Sequence, residues 1–86
     1  MLAHVVDAVI GVDTHRDTHD VELASPAGVP LATLTITNDG RGYAQLLAWA
    51  AEHAPGPRVT VVIEGTRSYG PGLARAVAAA GLPTAS

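Results

Sequence analysis

Two acidic residues each end a run of apolar, mostly β-branched residues. Asp13 closes the stretch "VIGVD", and Glu64 closes the stretch "VTVVIE". Runs of this length are typical of strands that lie in the middle of a parallel sheet. If the two strands are parallel neighbours, both carboxylates lie at the same end of the sheet, on strands about 4.8 Å apart.

Carboxylates at that separation repel each other unless a proton or a cation lies between them. A hard divalent cation with oxygen ligands, Mg²⁺ or Mn²⁺, removes the repulsion. Such a cation also activates an attacking oxygen and stabilises the leaving oxygen of a phosphodiester. The alternative interpretation is that Asp13 and Glu64 simply end their strands in water, and the periodicity alone leaves both interpretations open.

Three predicted strands precede the first predicted helix. Residues 5–12 form an apolar run and are predicted to be a central strand buried on both faces. Residues 19–24 and 31–37 alternate between apolar and polar side chains, which is typical of strands with one face in water. The turn sequence "SPAG" lies between them. The three strands are therefore predicted to form an antiparallel meander.

Two helices are predicted on either side of the strand that ends on Glu64. Asn38 or Asp39 can cap the first helix. The apolar residues at helical spacing in that helix are Tyr43, Leu46, Leu47, Ala50 and Ala54. Pro71 suits the first turn of the second helix and Gly81 its C-terminal end, and another strand would begin at "LPTAS". The order β-β-β-α-β-α is that of the first half of a ribonuclease H-like α/β sheet, in which the fourth strand lies parallel beside the first.

The composition excludes several classes of protein. There is no Cys, so disulfides and thiolate zinc sites are excluded. No apolar run approaches the ~20 residues that span a bilayer, and the N-terminus lacks the basic segment of a signal peptide, so a cytoplasmic protein without a membrane partner is expected. The net charge of −3 argues against nucleic-acid binding by charge alone. Because Ala and Val dominate and Phe is absent, a piece of a larger domain is expected.

The stretches "GVDTHRDTHDVELASPAG" and "IEGTRSYGPGLARAVAAAGL" resemble the N-terminal region of the DEDD transposases of bacterial insertion sequences. The resemblance covers about residues 9–82. The catalytic domain of these transposases resembles the RuvC Holliday-junction resolvase. The resemblance implies metal-dependent cleavage and exchange of DNA strands, with Asp13 as the first acidic ligand of Mg²⁺ or Mn²⁺ and Glu64 as the second. It also implies DNA, a guide RNA and a homo-oligomer as partners, acting at the bacterial nucleoid.

The chain departs from the family in what it lacks. The family's last two acids form an Asp-x-x-Asp motif, whereas no Asp or Glu follows Glu64 here, and the family's serine-bearing C-terminal domain is also absent. We therefore expect residues 1–86 to be the N-terminal part of a partial RuvC-like catalytic domain, inactive when isolated. The alternatives are a non-catalytic transposase remnant and, less favoured, a fragment of an actin-like kinase or ATPase fold. The kinase fold normally has Gly in the turn after its first Asp, and the turn here is "THRD".

Three further residues are candidates for nucleic-acid binding. Arg16 and Arg67 each lie three residues after an acidic residue, where they could contact phosphate oxygens or form surface ion pairs of little energetic value. The family commonly has Lys in place of Arg16. Ser68 precedes the second helix and could receive a phosphate or cap that helix.

The residues His15, Asp17 and His19 form an H-x-D-x-H pattern. On a continuous strand they would share one face, as metal ligands can. His15 and Asp17 are predicted to lie in a turn, and no further His cluster supports a zinc site. The favoured interpretation is polar turn and strand-face residues.

Overall fold

The computed structural model describes residues 6–65 and 68–85 and shows one sheet with two helices. The elements are β1 Ala8–Thr14, β2 Thr18–Ala24, β3 Pro30–Thr37, α1 Gly40–His53, β4 Val59–Glu64, α2 Pro71–Ala79 and β5 Thr84–Ala85. The strand order is β3-β2-β1-β4-β5. Strands β1 to β3 are antiparallel, whereas β4 pairs with both β1 and β5 in parallel. The predicted element order and the parallel pairing of the first and fourth strands are confirmed, and β5 begins within "LPTAS" as expected.

The start of β1 differs from the prediction. The strand begins at Ala8 rather than at residue 5, which lies outside the described residues. Asp7 takes another role: its carboxylate accepts a hydrogen bond from the Arg58 backbone N–H at 2.9 Å. This bond holds the pKa of Asp7 below its ordinary value.

One face of the sheet forms the core with both helices. Its strands contribute alternate residues, including Ile10, Leu23 and Ile63, and the helices contribute residues such as Leu46 and Leu73. The other face is open, since no described helix packs on it. Strand β1 was predicted to be buried on both faces, and this is wrong in the described structure: its second, open face is only partly buried.

The first helix begins where the sequence predicted. Asp39 is the N-cap, and its Oδ1 accepts hydrogen bonds from the Gly42 N–H at 2.9 Å and from the Thr37 hydroxyl at 2.8 Å. Leu46 and Ala50 are the buried apolar residues of its inner face. Tyr43 and Ala54 of the predicted stripe also pack against the core, whereas Leu47 is not among the residues that do.

The second helix also has the predicted termini. Pro71 occupies its first position. At the other end Gly81 has φ of 83° and donates its N–H to the Ala78 carbonyl at 3.0 Å, while Leu82 donates to the Val77 carbonyl at 3.2 Å. This pair of bonds is a Schellman motif, which requires a left-handed residue after the helix. Within the described part of the chain, neither helix is long and apolar enough to cross a membrane.

Candidate metal-binding site

Asp13 and Glu64 are partners in the last pair of the β1–β4 ladder. Both side chains are exposed. Because paired residues on neighbouring strands point to the same face, the two carboxylates share the open face of the sheet. The arrangement arises from sequence in a simple way: each acid directly follows an apolar run, and the two runs pair in parallel.

A third acid, Asp20, lies beside Asp13 on the same face. The two residues are partners in the β1–β2 ladder. His15 stands between them, with its Nε2 3.5 Å from Asp13 Oδ2 and 3.4 Å from Asp20 Oδ2. The hydroxyl of Thr35 on β3 donates to the other oxygen of Asp20 at 3.0 Å, which orients that carboxylate.

Asp13, His15 and Asp20 each offer one ligand atom, and these three atoms lie within 4.8 Å of one another. Among the described residues, these three side chains form the group that is close enough together to share a metal ion. Glu64 is not part of this group. Sequence reasoning did not identify Asp20 as a site residue. The signal was present in the hairpin: a tight turn at Arg16 and Asp17 puts residues 13 and 20 opposite each other.

The H-x-D-x-H pattern does not form one site. His15 belongs to the cluster, Asp17 is exposed in the turn, and His19 is fully buried on the opposite face. The His19 Nδ1 accepts a hydrogen bond from the His15 backbone N–H at 3.2 Å, and its Nε2 donates to Asn38 Oδ1 at 3.0 Å. The favoured interpretation of polar turn and strand residues therefore describes Asp17, whereas His19 is a buried structural residue.

The candidate nucleic-acid contacts differ in how they are held. The Arg16 side chain is exposed, and its Nε lies 3.7 Å from an Asp17 oxygen that is also exposed. The Arg16 backbone carbonyl accepts a hydrogen bond from Asn38 Nδ2 at 2.9 Å, so the turn is fixed while the guanidinium is accessible. Arg67 lies outside the described residues.

Ser68 is exposed and precedes α2, but it is not the helix cap. The N-cap of α2 is Gly70, and no side chain accepts a hydrogen bond there. The Ser68 N–H donates instead to the Gly65 carbonyl at 3.2 Å. The capping interpretation of Ser68 is therefore wrong, because the helix begins at Pro71 and Gly70 is its N-cap.

The open face forms a shallow groove of about 920 Å³. Its acidic lining residues are Asp13, Asp20, Glu22 and Glu64. A surface with four carboxylates and no described Lys or Arg among its lining residues repels an anion such as a phosphate. A divalent cation bound by carboxylate oxygens would lower this negative charge and give a phosphate a positive group to contact, and hard cations such as Mg²⁺ prefer this set of donors.

The family model for DEDD transposases of the IS110 type, described as a transposase, matches residues 10–86. The match includes both strand-ending acids and the helix between their strands. A comparison with curated proteins finds no match.

Proposed function

Since the chain belongs to the IS110-type DEDD transposase family, we propose that Asp13 and Glu64 are its contribution to a metal-dependent centre for DNA strand cleavage and exchange. The observation that carries this proposal is their pairing at the last position of the β1–β4 ladder, on the open face of the sheet. The family supplies the general function of a transposase, and this pairing supports the assignment of the two residues.

The donor atoms on the open face fit a hard divalent cation. The exposed carboxylates of Asp13 and Glu64 would hold Mg²⁺ or Mn²⁺, and Asp20 lies close enough to Asp13 to join them through its own carboxylate or a bound water. The cation, when bound, supplies activation of the attacking oxygen and stabilisation of the leaving oxygen of a phosphodiester. The protein's own part is to hold the acids on rigid strand ends and to place cationic side chains beside them.

The set of acids in the chain is incomplete for this chemistry. No Asp or Glu follows Glu64 in the sequence. We therefore assign residues 1–86 to the N-terminal part of a RuvC-like catalytic domain, whose further acidic ligands come from outside this chain. The 86-residue chain alone is then expected to bind a cation weakly and not to cleave DNA.

DNA would approach this face at its rim. The exposed Arg16 guanidinium next to the Asp13 hairpin is suited to a phosphate oxygen. Arg67 and Ser68, which follow Glu64 in the sequence, are also proposed to contact the DNA backbone. The guide RNA, the homo-oligomer and action at the bacterial nucleoid enter this proposal from the family resemblance alone.

The proposal is tested by transposition of a marked element with the protein that carries this chain. Asp13→Asn and Glu64→Gln should each lower transposition by roughly 100-fold or more, because loss of groups that merely orient a ligand already costs 10–100-fold. The matched control is Asp17→Asn, which removes the same charge from the exposed turn and should leave transposition within about threefold of the wild type.

Normal transposition by Asp13→Asn at normal protein abundance would show that the assignment is wrong. If the chain binds ATP but does not bind a divalent cation alone, the actin-like kinase interpretation is favoured. If the chain binds neither, a non-catalytic remnant is the better description.

A further inference from the structure

The β1–β4 ladder has no further pair beyond the two acids. Asp13 and Glu64 are the last pair in register. Strand β4 ends at Glu64, whereas β1 continues to Thr14. The His15 backbone N–H belongs to the β1–β2 hairpin and donates to the Thr18 carbonyl and to His19 Nδ1. The carboxylate pair therefore lies at the last position of the parallel ladder, with strand pairing on one side of it only.

A side chain joins the two strands at this point. The Thr14 hydroxyl donates a hydrogen bond of 2.5 Å to the Glu64 backbone carbonyl. This hydrogen bond therefore joins the residue that follows Asp13 to the backbone of Glu64. It adds a side-chain contact between the strands at the end of the parallel ladder.

The other side of this contact is shaped to accept the hydroxyl. Gly65 follows the second acid and has φ of 71°, in the left-handed region. A Cβ at this position would overlap the Thr14 Oγ1. Glycine is thus required at residue 65 for two reasons, the backbone conformation and the space that the Thr14 hydroxyl occupies.

We propose that Thr14 is a positioning residue for the metal-binding pair, and that its hydroxyl fixes the separation of the Asp13 and Glu64 carboxylates before a cation arrives. This inference rests on the proposed function. The physical reason is that two like charges at the ends of strands push those ends apart, and that a ligand pair held in place loses less freedom when the cation binds.

The test is a titration of the 86-residue chain with Mn²⁺, followed by the relaxation of water protons. Thr14→Val keeps the branched shape and removes the hydroxyl, and it should weaken Mn²⁺ binding by about tenfold, in the range for groups that orient metal ligands. Thr14→Ser keeps the hydroxyl and should restore the wild-type affinity to within about threefold.

Two controls separate positioning from a general loss of stability. Ser25→Ala removes an exposed hydroxyl that accepts a hydrogen bond from the Val29 N–H, far from the acids. It should lower the urea midpoint of the metal-free chain about as much as Thr14→Val does, with no change in Mn²⁺ affinity. Gly65→Ala should weaken Mn²⁺ binding, whereas Gly81→Ala, with a comparable φ of 83° but open space around its Cβ, should not.

The outcomes separate this inference from the proposed function. If Thr14→Val binds Mn²⁺ as the wild type does while Asp13→Asn and Glu64→Gln bind poorly, the role of Thr14 is refuted and the metal site stands. If the wild type itself does not bind Mn²⁺, both the metal site and the positioning role of Thr14 are refuted. We expect Thr14→Val and Gly65→Ala to bind Mn²⁺ more weakly than the wild type does. The controls Ser25→Ala and Gly81→Ala should bind Mn²⁺ as the wild type does.

Discussion

His19 connects the hairpin that carries the acids to the start of α1. Its Nδ1 receives the His15 N–H, so its proton is on Nε2, which donates to Asn38. The Tyr43 hydroxyl donates to the same Asn38 oxygen, and Asn38 in turn donates to the Arg16 carbonyl. This network fixes the backbone on both sides of the turn at Arg16. His19 accepts the hydrogen bond from the His15 N–H, and Asn38 donates one to the Arg16 carbonyl.

Replacing His19 should therefore cost more than replacing an exposed histidine. We expect His19→Ala to lower the free energy of unfolding by about 3 kcal/mol, since it leaves a cavity and unsatisfied polar partners in the core. The measurement is urea denaturation followed by circular dichroism. His53→Ala, which removes an exposed histidine at the end of α1, should change it by less than about 0.5 kcal/mol. Equal effects of the two substitutions would refute the structural role of His19.

At the scale of single residues, sequence patterns located some of the site and missed the rest. Asp13 and Glu64 were visible because each interrupts an apolar run at its end. Asp20 was not identified, because an acid on the wet face of an alternating strand is indistinguishable from any solvated strand residue until the hairpin register is known. His19 could not be separated from His15 by residue type, since only the register decides which of them faces the core.

The elements carry their own start and stop signals, and here the sequence predicted most of what the structure has. Asp39, Pro71 and Gly81 act through local backbone geometry, which adjacent residues determine. The burial of β1 was predicted less well. An apolar run shows that a strand can be buried on both faces, but it does not show whether another element covers each face. Just before β1, Asp7 bonds to Arg58, a partner 51 residues away that local sequence patterns do not reveal.

The cap of α1 gives a pH dependence with a definite sign. Hydrogen bonds from the Gly42 N–H and then from the Thr37 hydroxyl lower the pKa of Asp39 from its ordinary value of 3.8. A group whose pKa is lower in the folded state stabilises the fold above its ordinary pKa, and this contribution is lost as pH falls through the folded pKa. Urea midpoints of wild type and Asp39→Ala should differ at pH 6 and converge as pH falls through the lowered pKa of Asp39 in the folded chain.

Asp39→Asn provides the comparison for this prediction. Asparagine caps a helix about as well as aspartate but does not ionise in this range. The difference between Asp39→Asn and Asp39→Ala should therefore stay constant with pH. If the difference between Asp39→Asn and Asp39→Ala shrinks at low pH as much as the difference between wild type and Asp39→Ala does, a group other than Asp39 causes the acid dependence.

The glycines at the ends of the two helices should respond in opposite directions. Gly81 has φ of 83°, so Gly81→Ala should destabilise the chain by about 1 kcal/mol. Gly40 is the first residue of α1, and an added Cβ there meets nothing within 4 Å. Gly40→Ala should therefore stabilise the chain by about 0.5 kcal/mol, because alanine restricts the unfolded chain. Thermal denaturation of both variants beside the wild type measures the two shifts, and destabilisation by Gly40→Ala would contradict the assignment.

At the scale of the whole molecule, the described sheet has two edges and one uncovered face. Strand β3 lies at one edge, and Leu31 in it is 49% exposed next to Val29, which is 57% exposed. Exposed strand edges with apolar side chains favour association with other strands. We expect the 86-residue chain to self-associate as its concentration rises, measured by size-exclusion chromatography with light scattering.

A charge at the edge should reduce this association. Leu31→Lys places a cation on β3 and should shift the chain towards the monomer. Ala44→Lys adds the same charge to an exposed position of α1 and should leave the association unchanged. A wild-type chain that stays monomeric at every concentration would contradict the prediction, and an equal effect of both variants would assign the association to net charge.

The pairing of β1 with β4 also sets the order in which the site can form during folding. Thr14 and Glu64 are 50 residues apart along the chain, whereas Asp13 and Asp20 belong to one tight hairpin. Closing a long loop costs more entropy and takes longer than forming a hairpin. Asp13, His15 and Asp20 should thus assemble early in refolding, and Glu64 should join them only when the parallel pair closes. In stopped-flow refolding, full-affinity uptake of Mn²⁺ should accordingly lag behind hairpin formation and coincide with the slowest structural phase.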